Sequence, residues 1–178
     1  MNHSIDHSHQ DSDLFGLLYG FRFRPGEKGE QIDSATALAA LQQPGDPNEF
    51  LWLHLNLAHA ACERWMQAHL NLPEEFFEAL HEGSRSTRIE HVDSALLAVV
   101  NDVVFNFSSM VSSDISTLWV CARSRLLISA RLQPLHSVDK LRSSVKAGEH
   151  FRSPLELLVH LLRDQGEVLT QIVRKTSI

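Results

Sequence analysis

The chain has 178 residues, 43% of them hydrophobic and 21% charged, which is enough to bury one domain core and excludes an intrinsically disordered protein. Its net charge of −6, with Lys and Arg scattered along the chain, argues against a general nucleic-acid binder. Cys62 and Cys121 form no C-x-x-C pair, so we expect a reduced, cytosolic setting. We also expect no signal peptide and no membrane span in this sequence, because no stretch is apolar enough.

Residues 1–13 are predicted to be a flexible tail, because they are rich in His and Asp and almost free of apolar side chains. His3, His7 and His9 could bind a zinc or nickel ion with the neighbouring aspartates, since imidazole and carboxylate groups suit these metals. Ordering such a tail costs about 1–2 kcal/mol per residue. The favoured interpretation is therefore a solvated tail, with a metal site as the alternative.

Residues 14–57 are predicted to form two strands with a short helix between them. The apolar run 14–23 indicates a strand, and turn-forming residues follow it. Asp33 and Ser34 can cap a helix that continues to Leu41. Residues 50–57 alternate between leucines on one face and mainly aromatic side chains on the other. This pattern predicts a strand that is covered by helices on both faces.

Two helices are predicted to follow. Asn56 can cap the first, in which Ala58, Cys62, Trp65 and His69 share one stripe. The second begins at Pro73, with glutamates in its first turn where the helix dipole favours them. Gly83 is its expected end.

The next part of the chain is predicted to be a series of strands. Val, Ile, Leu and Phe are frequent in five segments, 88–93, 96–100, 103–107, 115–123 and 126–132. Hairpin turns are expected at Asn101-Asp102 and at Ser124-Arg125. An amphipathic helix then carries Leu135, Val138, Leu141 and Val145 and ends near Gly148. The predicted fold is α/β (α+β), a mixed β-sheet flanked by helix layers.

The last helix has a clear beginning and no clear end. Ser153 and Glu156 have the spacing of a capping box, and a proline occupies the first helical position between them. The final residues 174–178, R-K-T-S-I, contain no Gly, Asn or Pro that would stop the helix. Apolar positions spaced alternately three and four apart form a seam, with one Gln at position 165; its apolar members are Leu155, Leu158, Leu162, Leu169 and Ile172. We therefore expect a fragment whose seam packs on a partner.

Three side chains on the second helix are candidates for metal binding. Glu78, His81 and Glu82 are spaced i, i+3 and i+4, so their ends can meet on one face. They could supply half of a metal site that another element completes, although a solvated acidic face is the more common use of such residues. No catalytic or phosphate-binding motif is present, so an enzyme is not expected. His54 is expected to be a core histidine with one hydrogen-bonded nitrogen.

Several sequence segments, which occur in the same order, resemble the cytoplasmic domain of the CorA-type metal-ion transporters. Residues 72–100, L-P-E-E-F-F-E-A-L-H-E-G-S-R-S-T-R-I-E-H-V-D-S-A-L-L-A-V-V, are similar to a helix of that family and the loop and strand after it. The phrases W-L-H-L-N-L (52–57), S-T-L-W-V-C-A-R-S-R-L-L-I-S-A-R (116–131) and S-P-L-E-L-L (153–158) resemble the ZntB branch, the zinc transporters. The resemblance covers about residues 14–178.

This resemblance implies a cytoplasmic domain in residues 14–150 and, in residues 151–178, a helix that leads to a stalk and, further on, to two helices in the inner membrane. Five subunits would form a funnel around the ion path. Glu78 matches an acidic position at an intersubunit regulatory metal site. Arg88 and Glu90 match the basic and acidic positions of the family's Arg-Pro-Lys/Arg-x-Glu stretch, in which Thr87 replaces the proline.

The function expected from this resemblance is assembly and ion sensing or attraction in a divalent-cation transporter, most simply one for zinc. No tightly bound cofactor is expected; Zn²⁺ or another divalent cation would be the transported or regulatory ion. The expected partners are the membrane and stalk segments of the same protein, its copies in a pentamer and divalent cations, but not nucleic acid. By itself the chain is expected to be a monomer or a weak oligomer. The alternative is a free-standing cytosolic interaction domain that dimerises through the 155–172 seam.

Overall fold

The computed structural model describes residues 15–43, 45–82, 87–103 and 115–163. They contain a seven-stranded mixed sheet with the strand order β2-β1-β3-β7-β6-β5-β4. The strands are β1 (Leu17–Phe23), β2 (Glu30–Ile32), β3 (Phe50–Asn56), β4 (Arg88–Val92), β5 (Ala95–Val103), β6 (Ile115–Arg123) and β7 (Leu126–Arg131). The helices are α1 (Ser34–Gln42), α2 (Cys62–His69), α3 (Glu74–His81), α4 (His136–Lys146) and α5 (154–163).

Two hydrophobic cores lie on opposite faces of the sheet. One core takes buried side chains from α1, α2 and α3, among them Met66 and Phe76. The other takes them from α4 and α5, among them Leu141 and Leu157. The predicted mixed sheet between helix layers is therefore confirmed. No helix in the described ranges is long and apolar enough to cross a bilayer.

The strand β3 lies in the interior of the sheet, as its two apolar faces predict. It pairs in parallel with β7 and antiparallel with β1. Leu53 and Leu55 belong to the first core, whereas Phe50 and Trp52 belong to the second. All four side chains are at most 3% exposed, since both faces of the strand are covered by helices.

Helix boundaries near two predicted signals agree with the structure. Asp33 is the N-cap of α1, and its Oδ1 accepts a hydrogen bond of 2.8 Å from the Thr36 backbone N–H. Hydrogen bonds from the side chain and the backbone of Thr36 lower the pKa of the Asp33 carboxyl group. Gly148 lies just beyond the end of α4 with φ +93°, a conformation that glycine adopts without steric cost.

The predicted cap at Asn56 is wrong. The helix α2 begins only at Cys62, with Ala61 as its N-cap. Asn56 Oδ1 instead accepts a hydrogen bond of 3.0 Å from the backbone N–H of Ala58. The short polar side chain therefore stabilises a turn directly after β3, which is the other common use of asparagine at the end of a strand.

The predicted turn at Asn101-Asp102 is also wrong, because β5 is one continuous strand through both residues. They pair with Thr117 and Ser116 of β6. The sharp turn lies earlier, between β4 and β5, where Asp93 has φ +51°. Asp102 is buried at 8% exposure and accepts hydrogen bonds from the backbone N–H (2.8 Å) and the hydroxyl of Ser137. Asp102, which was predicted to lie in a turn, thus caps the first turn of α4 from strand β5.

The beginning of α5 agrees with the predicted cap. Ser153 Oγ accepts a hydrogen bond of 3.3 Å from the Glu156 N–H. Glu156 Oε2 accepts one of 2.8 Å from Arg152 N, one residue before the usual partner in a capping box.

The predicted seam needs correction, because α5 packs on the domain itself. Leu158 is 2% exposed and belongs to the second core together with Leu157 and Leu161, which the seam omits. Leu162 packs partly against this core, whereas Leu155 is 50% exposed. The second core thus supplies a partner for one face of this helix. Leu169 and Ile172 lie outside the described residues.

The cap from Asp102 is expected to contribute measurably to stability. We predict that Asp102→Ala lowers the free energy of unfolding by about 1–3 kcal/mol, because it leaves buried donors of Ser137 without an acceptor. Urea denaturation measures the loss. Ser137→Ala, which keeps the backbone N–H bonded, should cost less than Asp102→Ala. Equal stability of the wild type and Asp102→Ala would contradict a capping role.

Candidate functional site

The sequence-predicted metal ligands lie in an open groove between α2 and α3, here called the acidic groove. Glu74, Glu78 and Glu82 follow one another at intervals of four residues and so share one side of α3. The residues that line the groove are Glu63, Gln67, Leu72, Glu74, Phe77, Glu78, His81 and Glu82. With four carboxylates and one imidazole, this surface attracts cations.

The two helices are held against the sheet by buried side chains and one polar contact. Cys62 and Met66 of α2 and Phe76 and Ala79 of α3 are at most 5% exposed in the first core. Trp119 of β6 donates a hydrogen bond of 3.0 Å from its indole N–H to the backbone oxygen of Ala79. The backbone on which the glutamates of α3 stand is therefore fixed, while their side chains are exposed.

Glu78, His81 and Glu82 do not converge on one point within this chain. His81 Nε2 lies 2.6 Å from Glu63 Oε1 across the two helices. Glu82 Oε2 lies 2.7 Å from Arg88 Nη2, on the strand that follows α3. The Glu78 carboxylate forms no hydrogen bond or ion pair with any residue that the structure describes. In the same described ranges, no group of three or more His, Cys, Asp or Glu side chains is placed to hold a metal ion.

Arg88 connects the motif residues that the resemblance singled out. Its guanidinium group contacts Glu82 at 2.7 Å and Glu90 at 3.4 Å. The hydrogen bond that Arg88 donates to Glu82 raises the pKa of its guanidinium group. Thr87, at the position of the family's proline, accepts a hydrogen bond of 3.2 Å from the Asn101 backbone N–H. The motif therefore ties α3 and β4 together beside the groove.

Sequence reasoning missed Glu63, which pairs with His81 and belongs to the groove. Its only signal is its position in the first turn of α2, and the contact becomes evident only once α2 and α3 are packed side by side. A metal site that another element completes stays a prediction. His3, His7 and His9 lie outside the described residues.

Both cysteines are buried and free, as expected for small hydrophobic side chains. Burial raises the pKa of the Cys62 and Cys121 thiols to about 11. Because the thiolate is the reactive and metal-binding form, neither thiol is suited to nucleophilic or ligand chemistry near neutral pH.

The prediction that His54 is a core histidine is confirmed. The ring is 2% exposed, and its Nδ1 lies 2.7 Å from Ser129 Oγ. The same hydroxyl oxygen accepts a hydrogen bond of 2.9 Å from the indole N–H of Trp52. Burial lowers the pKa of His54 to about 3, and the nearby positive charge of Arg131 acts in the same direction. The imidazole is therefore neutral in the folded protein at neutral pH.

This buried imidazole predicts acid sensitivity of the fold. The folded-state pKa of about 3 lies below the ordinary value of 6.5, so between these values the unfolded chain binds the extra proton. Stability should therefore be constant with respect to His54 above pH 6.5 and fall as the pH drops below it, by at most about 1.4 kcal/mol per pH unit.

Urea denaturation between pH 7 and pH 5 measures this slope. His54→Gln should flatten it, and His91→Gln, which changes an exposed histidine of β4, should leave it unchanged. The same slope in wild type and His54→Gln would show that other groups cause the acid sensitivity.

Comparisons with known proteins identify the family of the chain. The family model described as CorA-like Mg²⁺ transporter protein matches residues 47–177. The divalent cation transporter CmaX of Pseudomonas aeruginosa is 28% identical over 166 residues, which are 91% of this chain and 49% of CmaX. The chain thus spans about half the length of that curated relative.

Solved structures agree on the fold. The structure of full-length CmaX has a TM-score of 0.75 at 24% identity, and the match covers 90% of this chain and 48% of the CmaX chain. The ZntB cytoplasmic domain from Vibrio parahaemolyticus has a TM-score of 0.66 at 14% identity over 92% of this chain and 64% of its own. Because the family model covers well over half of the sequence, the chain belongs to the CorA-like Mg²⁺ transporter family.

Proposed function

We propose that this chain is the cytoplasmic domain of a transporter of divalent cations, and that zinc is the cation. The family match over residues 47–177 carries the proposal. The match to CmaX, named as a divalent cation transporter, supports the class of substrate. Zinc is supported by the phrases that resemble the ZntB branch and by the likeness of the fold to a ZntB cytoplasmic domain.

The first role of the domain is to hold the segment that follows α5 in a fixed orientation. Leu157, Leu158 and Leu161 anchor one face of α5 in the second core. On the outer face, Leu155 and Val159 are 50% and 47% exposed. Apolar side chains four residues apart on a helix form one stripe, so they suit contact with a further helix of the same protein or of its copies. In this proposal five copies assemble around the ion path at the inner membrane.

The second role is the attraction or sensing of cations by the acidic groove. The glutamates on α3 act on ions over a screening length of about 8–10 Å at physiological salt. The carboxylates of Glu74 and Glu78 have no partner among the described residues, whereas His81 and Glu82 are paired with Glu63 and Arg88. Of these two, Glu78 is the position that the resemblance links to a metal site, so it is the carboxylate proposed to bind an ion together with groups from a neighbouring subunit.

Transport by the complete gene product tests the main proposal. Reconstituted into liposomes that contain a zinc-sensitive dye, the complete protein should admit Zn²⁺, and residues 1–178 alone should admit none. Flux of Mg²⁺ without flux of Zn²⁺ would support a transporter of divalent cations and exclude zinc as its cation. If no divalent cation crosses, and residues 1–178 form a stable dimer that Leu155→Asp abolishes, the interaction-domain alternative is correct.

The role of Glu78 can be tested in the same assembled protein. We predict that Glu78→Gln weakens Zn²⁺ binding to the cytoplasmic part at least about tenfold, because a ligand charge is lost. Glu75→Gln is a matched control, since it changes an exposed glutamate of the same helix that does not line the groove. Isothermal titration with the membrane sites present in all variants measures the difference. Equal loss of affinity in both variants would show that Glu78 acts only through the negative charge of the helix and not as a ligand.

A further inference from the structure

A second pocket lies on the opposite face of the sheet from the acidic groove, and nothing in the proposed transport function uses it. It has a volume of about 290 Å³ and lies where β1, β3 and β7 meet the beginning of α4. The polar side chains that line it are Tyr19, His54, Arg131, Asp139 and Arg142. We call it the arginine pocket.

Two guanidinium groups in this pocket are incompletely satisfied. The Nε atoms of Arg131 and Arg142 are both buried, and neither has a hydrogen-bond partner within the described ranges. Neither arginine has an ion pair with a carboxylate in those ranges. Both side chains are half-buried, and Arg131 Nη1 donates a hydrogen bond of 3.4 Å to the Leu132 backbone oxygen. Because buried donors are nearly always paired in folded proteins, the two Nε atoms are exceptions. Burial also lowers the pKa of Arg131.

Two uncharged donors line the same pocket. The Tyr19 ring stacks on His54 at 4.9 Å and lies 4.6 Å from the guanidinium carbon of Arg142. Burial raises the pKa of the Tyr19 phenol, so the hydroxyl keeps its proton, and it has no hydrogen-bond partner in the described residues. These contacts fix the ring in place and leave its hydroxyl group free to donate.

His54 supplies the other uncharged donor. Ser129 Oγ accepts a hydrogen bond from the indole N–H of Trp52, so the Ser129 hydroxyl can donate its own hydrogen bond to His54 Nδ1. In that tautomer the ring proton lies on Nε2, for which the described residues offer no acceptor. The Nε2–H of the buried His54 ring can then donate a hydrogen bond to a ligand in the pocket.

We propose that the arginine pocket binds a small oxyanion, a phosphate or carboxylate group, between Arg131 and Arg142. Guanidinium groups bind both classes of oxyanion through two parallel hydrogen bonds, which would satisfy the Nε atoms. Asp139 is the one carboxylate among the lining residues, so the two arginines leave the pocket with an excess positive charge. This proposal is independent of cation transport and of the acidic groove.

Nuclear magnetic resonance of residues 1–178 at constant ionic strength is the direct test, with inorganic phosphate and acetate as probes against chloride. The Nε–H signals of Arg131 and Arg142 should shift saturably with at least one probe, while that of exposed Arg64 should not. Saturation by phosphate alone identifies a phosphate site, and saturation by acetate identifies a carboxylate site. If neither probe causes a saturable shift at concentrations up to about 50 mM, the proposal is overturned.

Variants separate binding from folding. Arg131→Gln and Arg142→Gln should each weaken binding at least about tenfold, since each removes a charge-assisted hydrogen bond. Arg64→Gln, which removes the same charge elsewhere, should change it less than twofold. Arg142→Lys keeps the charge and loses the paired geometry, so it should bind more weakly than wild type even if Arg142→Gln fails to fold. Equal binding in wild type, Arg142→Lys and Arg131→Gln would overturn the proposal.

Discussion

The parallel pairing of β3 with β7 is the constraint on which the rest of the domain depends. Six residue pairs, from Leu51↔Leu126 to Asn56↔Arg131, join segments that are 75 residues apart in the chain. On one side of this pair β1 and β2 are antiparallel, and on the other β6, β5 and β4 are antiparallel. The parallel pair therefore unites two antiparallel halves, and since both of its faces are apolar it requires a helix layer on each side.

The helix layers are fastened to this sheet by buried polar contacts as well as by apolar packing. Trp119 on β6 donates to the backbone of α3, and Asp102 on β5 caps α4. Each contact satisfies a group that would otherwise be buried without a partner, so each fixes the position of its helix as well as adding stability. Because the two contacts come from adjacent strands, the acidic-groove side and the α5 side of the domain share one rigid support.

The apolar pattern was sufficient to predict most of the fold, because burial follows directly from the period of the side chains. The double-faced strand at 50–56 and the stripe Val138, Leu141 and Val145 both needed only their own sequence. Polar residues near element ends were less informative, since the same side chain can form a turn or cap a helix. Asn56 was predicted to cap a helix and forms a turn, whereas Asp102 was predicted to form a turn and caps a helix.

Contacts between distant segments could not be predicted from spacing along the chain. Glu78, His81 and Glu82 were grouped because they share a helix face, but Glu63 and Arg88 reach two of them from neighbouring elements. Leucines of the last helix fit a heptad as well as they fit a stripe facing the domain, and only the packed second core distinguishes Leu158 from Leu155.

The central strand pair also connects the stability of the domain with the arginine pocket. His54 on β3 and Arg131 at the end of β7 are brought to the same pocket because the two strands run in parallel and in register. An anion between the arginines would lower the repulsion of two half-buried positive charges. Because only the folded chain brings them together, its binding would stabilise the fold in proportion to RT ln(1 + [L]/Kd). Cation attraction at α3 and anion binding beside α4 would then use opposite faces of one sheet, so the two kinds of ion need not compete.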